Sequence, residues 1–207
     1  MSLFTKRIYL PGASGSAEFW RPVSSLLDDG AHQRLLAWPG LGNEAPAPTV
    51  NGIDNLVDIV EAELDEPAEL IAQSMGGLIA VRALLRRPER VRRLVLTAAS
   101  VGMHARAFSG SDWVPDYRKA YPNSASWVGA PILDVSEELR TIVAPVLLIW
   151  GDCDPISPVA VGRHLETLFP NATLRLISGG DHDVAQTHAP MVAKLIREHL
   201  DAERRGD

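Results

Sequence analysis

A chain of 207 residues with Lys+Arg 20 against Asp+Glu 26 carries a formal charge of −6, and its 46% apolar and 22% charged content is ordinary for a soluble globular protein. That apolar fraction excludes a disordered chain, the acidic balance argues against nucleic acid as a partner, and the length allows a single domain over 1–207. The lone cysteine, Cys153, cannot make an internal disulfide, which points to a reducing compartment.

The first predicted element is the strand Arg7–Leu10, closed by Pro11-Gly12. Its apolar core is far shorter than the ~7–15 residues of a secretory signal. No stretch approaches the ~18–20 apolar residues that span a bilayer, so a cytoplasmic protein without membrane contact is expected. Further short apolar runs follow at Arg34–Trp38, Glu69–Gln73, Arg93–Thr97, Pro145–Trp150 and Thr173–Ile177. Each has the length of a strand buried on both faces. Between them, Ile53, Leu56, Val57, Val60 and Leu64 recur at helical spacing behind Asn51 as N-cap. Further helices are predicted over Met75–Arg87, Pro158–Phe169 and Pro190–Leu200. This alternation predicts an α/β three-layer sandwich of about six mainly parallel strands, with helices on both faces.

One segment breaks the rhythm. Val101–Ala144 shows no clear strand, is interrupted by Pro115, Pro122 and Pro131, and concentrates the aromatics Phe108, Trp113, Tyr117, Tyr121 and Trp127. Long irregular insertions in compact domains are usually functional, so 101–144 is read as a lid, with Trp113, Tyr117, Tyr121 and Trp127 as candidate pocket residues. A packed helical insertion with ordinary core aromatics is the alternative.

The chemistry concentrates in Ala72-Gln73-Ser74-Met75-Gly76-Gly77, which follows a strand and opens a helix. A strand that turns sharply into a helix at a serine exposes the hydroxyl at the apex, and only small residues fit two positions before and after it. Ala72 and Gly76 are small. Ser74 then sits at a helix N-terminus, where free amide donors favour developing negative charge. Downstream, Asp152 and Asp154 follow the Pro145–Trp150 strand, and His182 follows Thr173–Ile177. Nucleophile, acid and base thus come in the order Ser, Asp, His, at the strand ends where open α/β sheets place their sites.

Over nearly its whole length the chain resembles the α/β-hydrolase fold superfamily. Leu10-Pro11-Gly12-Ala13-Ser14-Gly15-Ser16, with Trp20 beyond it, is similar to the family's oxyanion loop. Trp38-Pro39-Gly40-Leu41-Gly42 resembles its glycine turn, Ala72–Gly76 its nucleophile elbow, Gly151-x-x-Asp154 its acid loop and Gly180-Asp181-His182 its histidine loop. The chain departs from the family pattern at Pro11, where a histidine is usual, at Ala72, where glycine is usual, and at the extra Asp181.

The resemblance implies a cofactor-free serine hydrolase. In it Ser74 attacks an acyl carbon, His182 carries the proton, and Asp154 holds the imidazole, with Asp152 as rival. The oxyanion hole is expected at the backbone N–H groups of Ala13 and Met75. The expected substrate is a small carboxylic ester or thioester with an apolar acyl group in a modest pocket. A lyase or acyltransferase with the same triad, or a non-catalytic binding protein that kept the fold, are the alternatives.

Competing readings fare worse. Gly12-Ala13-Ser14-Gly15 lacks the third glycine of a dinucleotide fingerprint, and no Gly-Lys-Ser/Thr of a phosphate loop follows. His32, His104, His164, His188 and His199 show no metal-ligand spacing, so neither metal nor cofactor is expected. The charged runs Arg86–Arg93 and Glu203–Arg205 read as solvated surface. In the full family fold two strands precede the oxyanion-loop strand, and only Met1–Lys6 stand ahead of it here. Arg34–Trp38 is then expected at a sheet edge. Its apolar Leu35-Leu36-Ala37-Trp38 would call for a covering segment or a homodimer partner.

Overall fold

The computed structural model describes residues 6–103, 105–131 and 133–202; His104 and the tail Glu203–Arg205 lie outside them. Its strands are β1 (Lys6–Leu10), β2 (His32–Leu35), β3 (Ala68–Gln73), β4 (Val91–Thr97), β5 (Val146–Gly151) and β6 (Ala172–Ile177). They form one sheet in the order β2-β1-β3-β4-β5-β6, every pairing parallel. The helices are α1 (Arg21–Leu26), α2 (Ile53–Glu63), α3 (Met75–Arg86), α4 (Val114–Ala120), α5 (Val159–Leu168), α6 (Val184–Thr187) and α7 (Ala189–Asp201). The chain first adds β2 outside β1 and then returns to lay β3 on β1's other side. That reversal opens a crevice beyond the C-terminal ends of β1 and β3.

The period-two alternation of the strands separates two cores. Ile8, Leu10, Leu70, Ala72, Leu94, Leu96, Leu148 and Trp150 face one side and pack with α2, α3 and α5. Tyr9, Ile71, Val95, Leu147, Ile149 and Ile177 face the other and pack with α1, α6 and α7. The expected three-layer sandwich is the observed one. Both outer strands are only half covered, however: β2 alternates between exposed and partly buried residues, and in β6 only Ile177 is fully buried.

Four local expectations change. β2 runs His32–Leu35 and not Arg34–Trp38, because the chain turns off the sheet after Leu36 N–H bonds the Tyr9 carbonyl at 3.0 Å. Leu36 and Trp38 are 6% and 0% exposed, with the Trp38 indole donating to the Pro11 carbonyl at 2.7 Å. Among the described residues the edge strand is therefore His32–Leu35, mostly polar, and the apolar Leu36 and Trp38 expected on it are covered within the chain itself. The N-cap of α2 is Gly52, not Asn51. Pro115, expected as an interruption, sits in the first turn of α4, where a missing N–H costs nothing. Arg93, expected on the surface, is buried, its guanidinium donating to the His199 carbonyl at 3.0 Å.

The 101–144 stretch contributes α4 and short 3₁₀ turns at Ala105–Phe108 and Glu138–Thr141. Tyr117, Val128, Val135, Leu139 and Ile142 from it join the core on the α2–α3–α5 side. Among the described residues, no helix is long and apolar enough to cross a membrane.

Candidate active site

Ser74 joins β3 to α3 with φ +52° and ψ −121°, a backbone conformation that L-residues rarely adopt. Its N–H bonds the Thr97 carbonyl at 2.9 Å and its carbonyl accepts from Gly77 N–H at 3.0 Å, which holds the turn. The turn presses α3 against the end of β1. A Cβ on Gly76 would lie 2.4 Å from the Pro11 oxygen and 2.7 Å from the Leu10 oxygen, so only glycine fits.

The acid and histidine loops are locked to each other beside it. Gly151 and Gly180 meet so closely that a Cβ on Gly151 would lie 2.2 Å from Gly180 backbone atoms. Cys153 N–H bonds the Gly180 carbonyl at 2.9 Å. The contact brings Asp154 Oδ2 to 2.9 Å from His182 Nδ1, and His182 Nε2 to 2.9 Å from Ser74 Oγ. An ionised carboxylate can only accept, so Nδ1 carries the proton and Nε2 is left to accept from the serine hydroxyl. Asp154 is buried, and its Oδ1 accepts from the N–H groups of Ile156 at 2.8 Å and Ser157 at 2.9 Å. The rival Asp152 points elsewhere. Its Oδ1 accepts from Gly179 N–H at 2.7 Å, and that hydrogen bond holds the carboxyl below its usual range. It ties the two loops together without touching the imidazole.

The loop Pro11–Gly15 lies across from Ser74, and donors hold its carbonyls. Leu10 oxygen takes the Trp20 indole at 2.9 Å, Pro11 oxygen the Trp38 indole, Gly12 oxygen the Gly15 N–H at 3.1 Å, and Ala13 oxygen the Tyr117 hydroxyl at 2.9 Å. Among the described residues, the N–H groups of Ala13 and Met75 donate to no protein acceptor. Gln73 was not singled out in the sequence. It is buried, packs its side-chain oxygen against Gly12 and donates to the His182 carbonyl at 3.3 Å. A polar residue at the C-terminal end of a buried strand, directly before the serine of the turn, is the available signal.

A cavity of about 720 Å³ opens over Ser74 and His182. This exceeds the modest pocket expected and falls in the upper part of the ~300–1,000 Å³ usual for small-molecule sites. Leu78, Met103, Trp113, Trp127 and Ile156 supply apolar wall, while Asp54, Arg82 and Asp112 supply charge. Of the four aromatics expected at a pocket, Trp113 and Trp127 are among the residues lining the cavity. Tyr117 and Tyr121 do not line it. Tyr117 is turned into the protein, packed on Trp113 and Tyr121 at 5.5 and 5.1 Å between ring centres. Among the described residues, no group of three or more His, Cys, Asp or Glu side chains is placed to hold a metal ion.

A model of the alpha/beta hydrolase fold family matches residues 8–127, more than half of the chain, and the chain belongs to that family. Its relatives are hydrolases. A 2-hydroxy-6-oxononadienedioate/2-hydroxy-6-oxononatrienedioate hydrolase of Cupriavidus pinatubonensis is 25% identical over 92% of this chain and 83% of its own length. A pimeloyl-[acyl-carrier protein] methyl ester esterase of Neisseria meningitidis is 26% identical over 79% of this chain and 80% of its own. The solved structure of an enol-lactonase from Burkholderia xenovorans superposes with a TM-score of 0.78 at 21% identity, covering 95% of this chain and 91% of that one. A carboxylesterase from Bacillus subtilis gives 0.75 at 19%, covering 97% and 85%.

Proposed function

We propose that the protein is a serine hydrolase that cleaves a carboxylic ester or thioester with an apolar acyl group through an acyl-enzyme. The observation that carries the reading is the unbroken chain of 2.9 Å contacts from Ser74 Oγ to His182 to Asp154 at the floor of the cavity. Ser74 Oγ attacks the acyl carbon as its proton passes to His182 Nε2. The resulting imidazolium is stabilised by the buried Asp154 carboxylate, whose other oxygen the Ile156 and Ser157 amides hold in position. The oxyanion is received by the unengaged N–H groups of Ala13 and Met75, the latter at the N-terminus of α3 where the helix dipole adds to it. His182 then protonates the leaving group, and water attacks the acyl-enzyme by the reverse route. The chemistry uses these groups alone.

Residues 101–144 act as a lid in this reading, since Trp113, Trp127 and Met103 come from that stretch and wall the cavity against Met75 and Leu78 of α3. The apolar wall suits an acyl chain, and relatives named as a methyl ester esterase and an oxononadienedioate hydrolase are consistent with a carbonyl substrate. A fluorophosphonate probe should modify Ser74 in the native protein and fail to modify Ser74→Ala. A p-nitrophenyl ester series from acetate to decanoate should show turnover peaking at intermediate chain length. Folded protein that neither reacts with the probe nor turns over any ester would refute the assignment.

A further inference from the structure

We propose that Tyr117 and Arg118, adjacent on α4, are positioning residues for two different parts of the site: Tyr117 sets the oxyanion loop and Arg118 sets the wall that carries Trp127. The proposal rests on the serine-hydrolase reading above, because the loop it concerns is the one assigned to the oxyanion.

The geometry of Ala13 makes the first half. In a trans peptide the C=O and N–H point in opposite directions, so whatever holds one aims the other. The Gly12 carbonyl is held by Gly15 N–H at 3.1 Å, which aims the Ala13 N–H. The next peptide, on the other side of the Ala13 α-carbon, has its carbonyl held by the Tyr117 hydroxyl at 2.9 Å. Both peptide planes flanking Ala13 are thereby fixed, one from within the loop and one from the 101–144 stretch. The same hydroxyl accepts from Gly42 N–H at 3.0 Å and lies 2.6 Å from Ser124 Oγ. With its proton on Ala13 oxygen, the phenol oxygen accepts from Gly42 N–H, and its 2.6 Å contact to Ser124 Oγ draws on that hydroxyl's one proton, for which the Gly40 oxygen at 3.3 Å competes. The phenol oxygen pins three chain segments at one atom. No substrate is needed to engage it, which separates Tyr117 from the aromatics that line the cavity.

Arg118 does for the wall what Tyr117 does for the loop. Its guanidinium donates to the carbonyls of Ser124 at 3.3 Å, Ala125 at 2.9 Å, Ser126 at 2.7 Å and Val128 at 2.5 Å. A rigid planar fork can satisfy several carbonyls of one tight turn at once, which an ammonium cannot. Trp127 sits inside the turn so held and lines the cavity. Consecutive residues of one short helix therefore govern the charge-stabilising side and the substrate-binding side of the same site.

The two roles predict a split. In Tyr117→Phe, kcat on p-nitrophenyl hexanoate should fall about tenfold with KM within about twofold, well short of the ~10²–10³ expected for deleting an oxyanion donor outright. In Arg118→Met, KM should rise about tenfold with kcat nearly unchanged. Amide hydrogen exchange read on the same variants is independent of activity. Tyr117→Phe should accelerate exchange in the peptide spanning residues 11–16, whereas Arg118→Met should accelerate it in the peptide spanning 124–128 and leave 11–16 as in the wild type. Equal shifts in both variants, or wild-type exchange over 11–16 in Tyr117→Phe, would overturn the proposal. If the exchange pattern appears but the wild type neither turns over esters nor reacts with a fluorophosphonate, the bracing role stands as a structural one and the hydrolase reading is what fails.

Discussion

Asp154→Asn is nearly isosteric, and the structure dictates how asparagine must sit. Oδ1 of Asp154 faces the N–H groups of Ile156 and Ser157 at 2.8 and 2.9 Å, so that position must remain an acceptor. The asparagine oxygen takes it, and the NH₂ is forced toward His182 Nδ1, the position now held by Oδ2 at 2.9 Å. A donor facing Nδ1 selects the tautomer protonated on Nε2. That nitrogen then donates to Ser74 Oγ and cannot take its proton. The fold is untouched while the base is lost. The expected fall in kcat is on the order of 10⁴, or about 5 kcal/mol of barrier. Asp152→Asn keeps an amide oxygen as acceptor for Gly179 N–H at an exposed position and should stay within about twofold of wild type, because surface interactions of this kind contribute little. Initial rates on p-nitrophenyl hexanoate, with thermal unfolding to show that both variants are folded, measure the pair. An Asp154→Asn enzyme that keeps more than a tenth of its kcat, or an Asp152→Asn enzyme that loses as much, would refute the tautomer argument.

Gly76→Ala drives a methyl into the Pro11 and Leu10 oxygens, which already hold the Trp38 and Trp20 indoles. Overpacking of ~1–3 kcal/mol and strain on those hydrogen bonds outweigh the ~1 kcal/mol helix gain of alanine, for a net loss of about 2 kcal/mol in urea unfolding. Stability equal to wild type would mean that the end of β1 yields freely. His199 supplies a pH dependence: burial, then the nearby Arg93, lowers its pKa to about 4, and its Nε2 is buried without a partner among the described residues. The unfolded chain, with a pKa near ~6.5, binds the proton first, so stability falls as pH drops from about 6.5 toward 4, by up to about 3 kcal/mol. His199→Gln should flatten that part of the stability profile; an unchanged acid slope would count against a neutral buried imidazole.

Much of this site was legible in the sequence because its chemistry needs certain residue types in a certain order. Ser74 between small residues, an acid after the fifth strand and His182 after the sixth survive any uncertainty about element ends. The choice between Asp154 and Asp152 rested on spacing alone, since what separates them is the pair of backbone donors at Ile156 and Ser157. Periodicity also misplaced β2. Leu36 and Trp38 are as apolar as strand residues, but Trp38 is drawn off the sheet by the Pro11 carbonyl, a partner far away in sequence. Tyr117 shows the same limit from the other side. A cluster of aromatics reads as pocket wall, and only the fold reveals that this ring is aimed by its hydroxyl at backbone atoms of two glycine loops.

The turn at Ser74 has a consequence for how the molecule can change. Its φ of +52° suits a residue without a Cβ, and holding a serine there costs roughly 1–3 kcal/mol. Glycine would relieve that cost, and the greater freedom it gives the unfolded chain takes back only about 1 kcal/mol. Ser74→Gly should therefore resist urea better than Ser74→Ala, although both lack the hydroxyl. Selection for sturdiness alone would erase the serine, and its presence at a strained backbone position in the crevice records a demand that folding does not make.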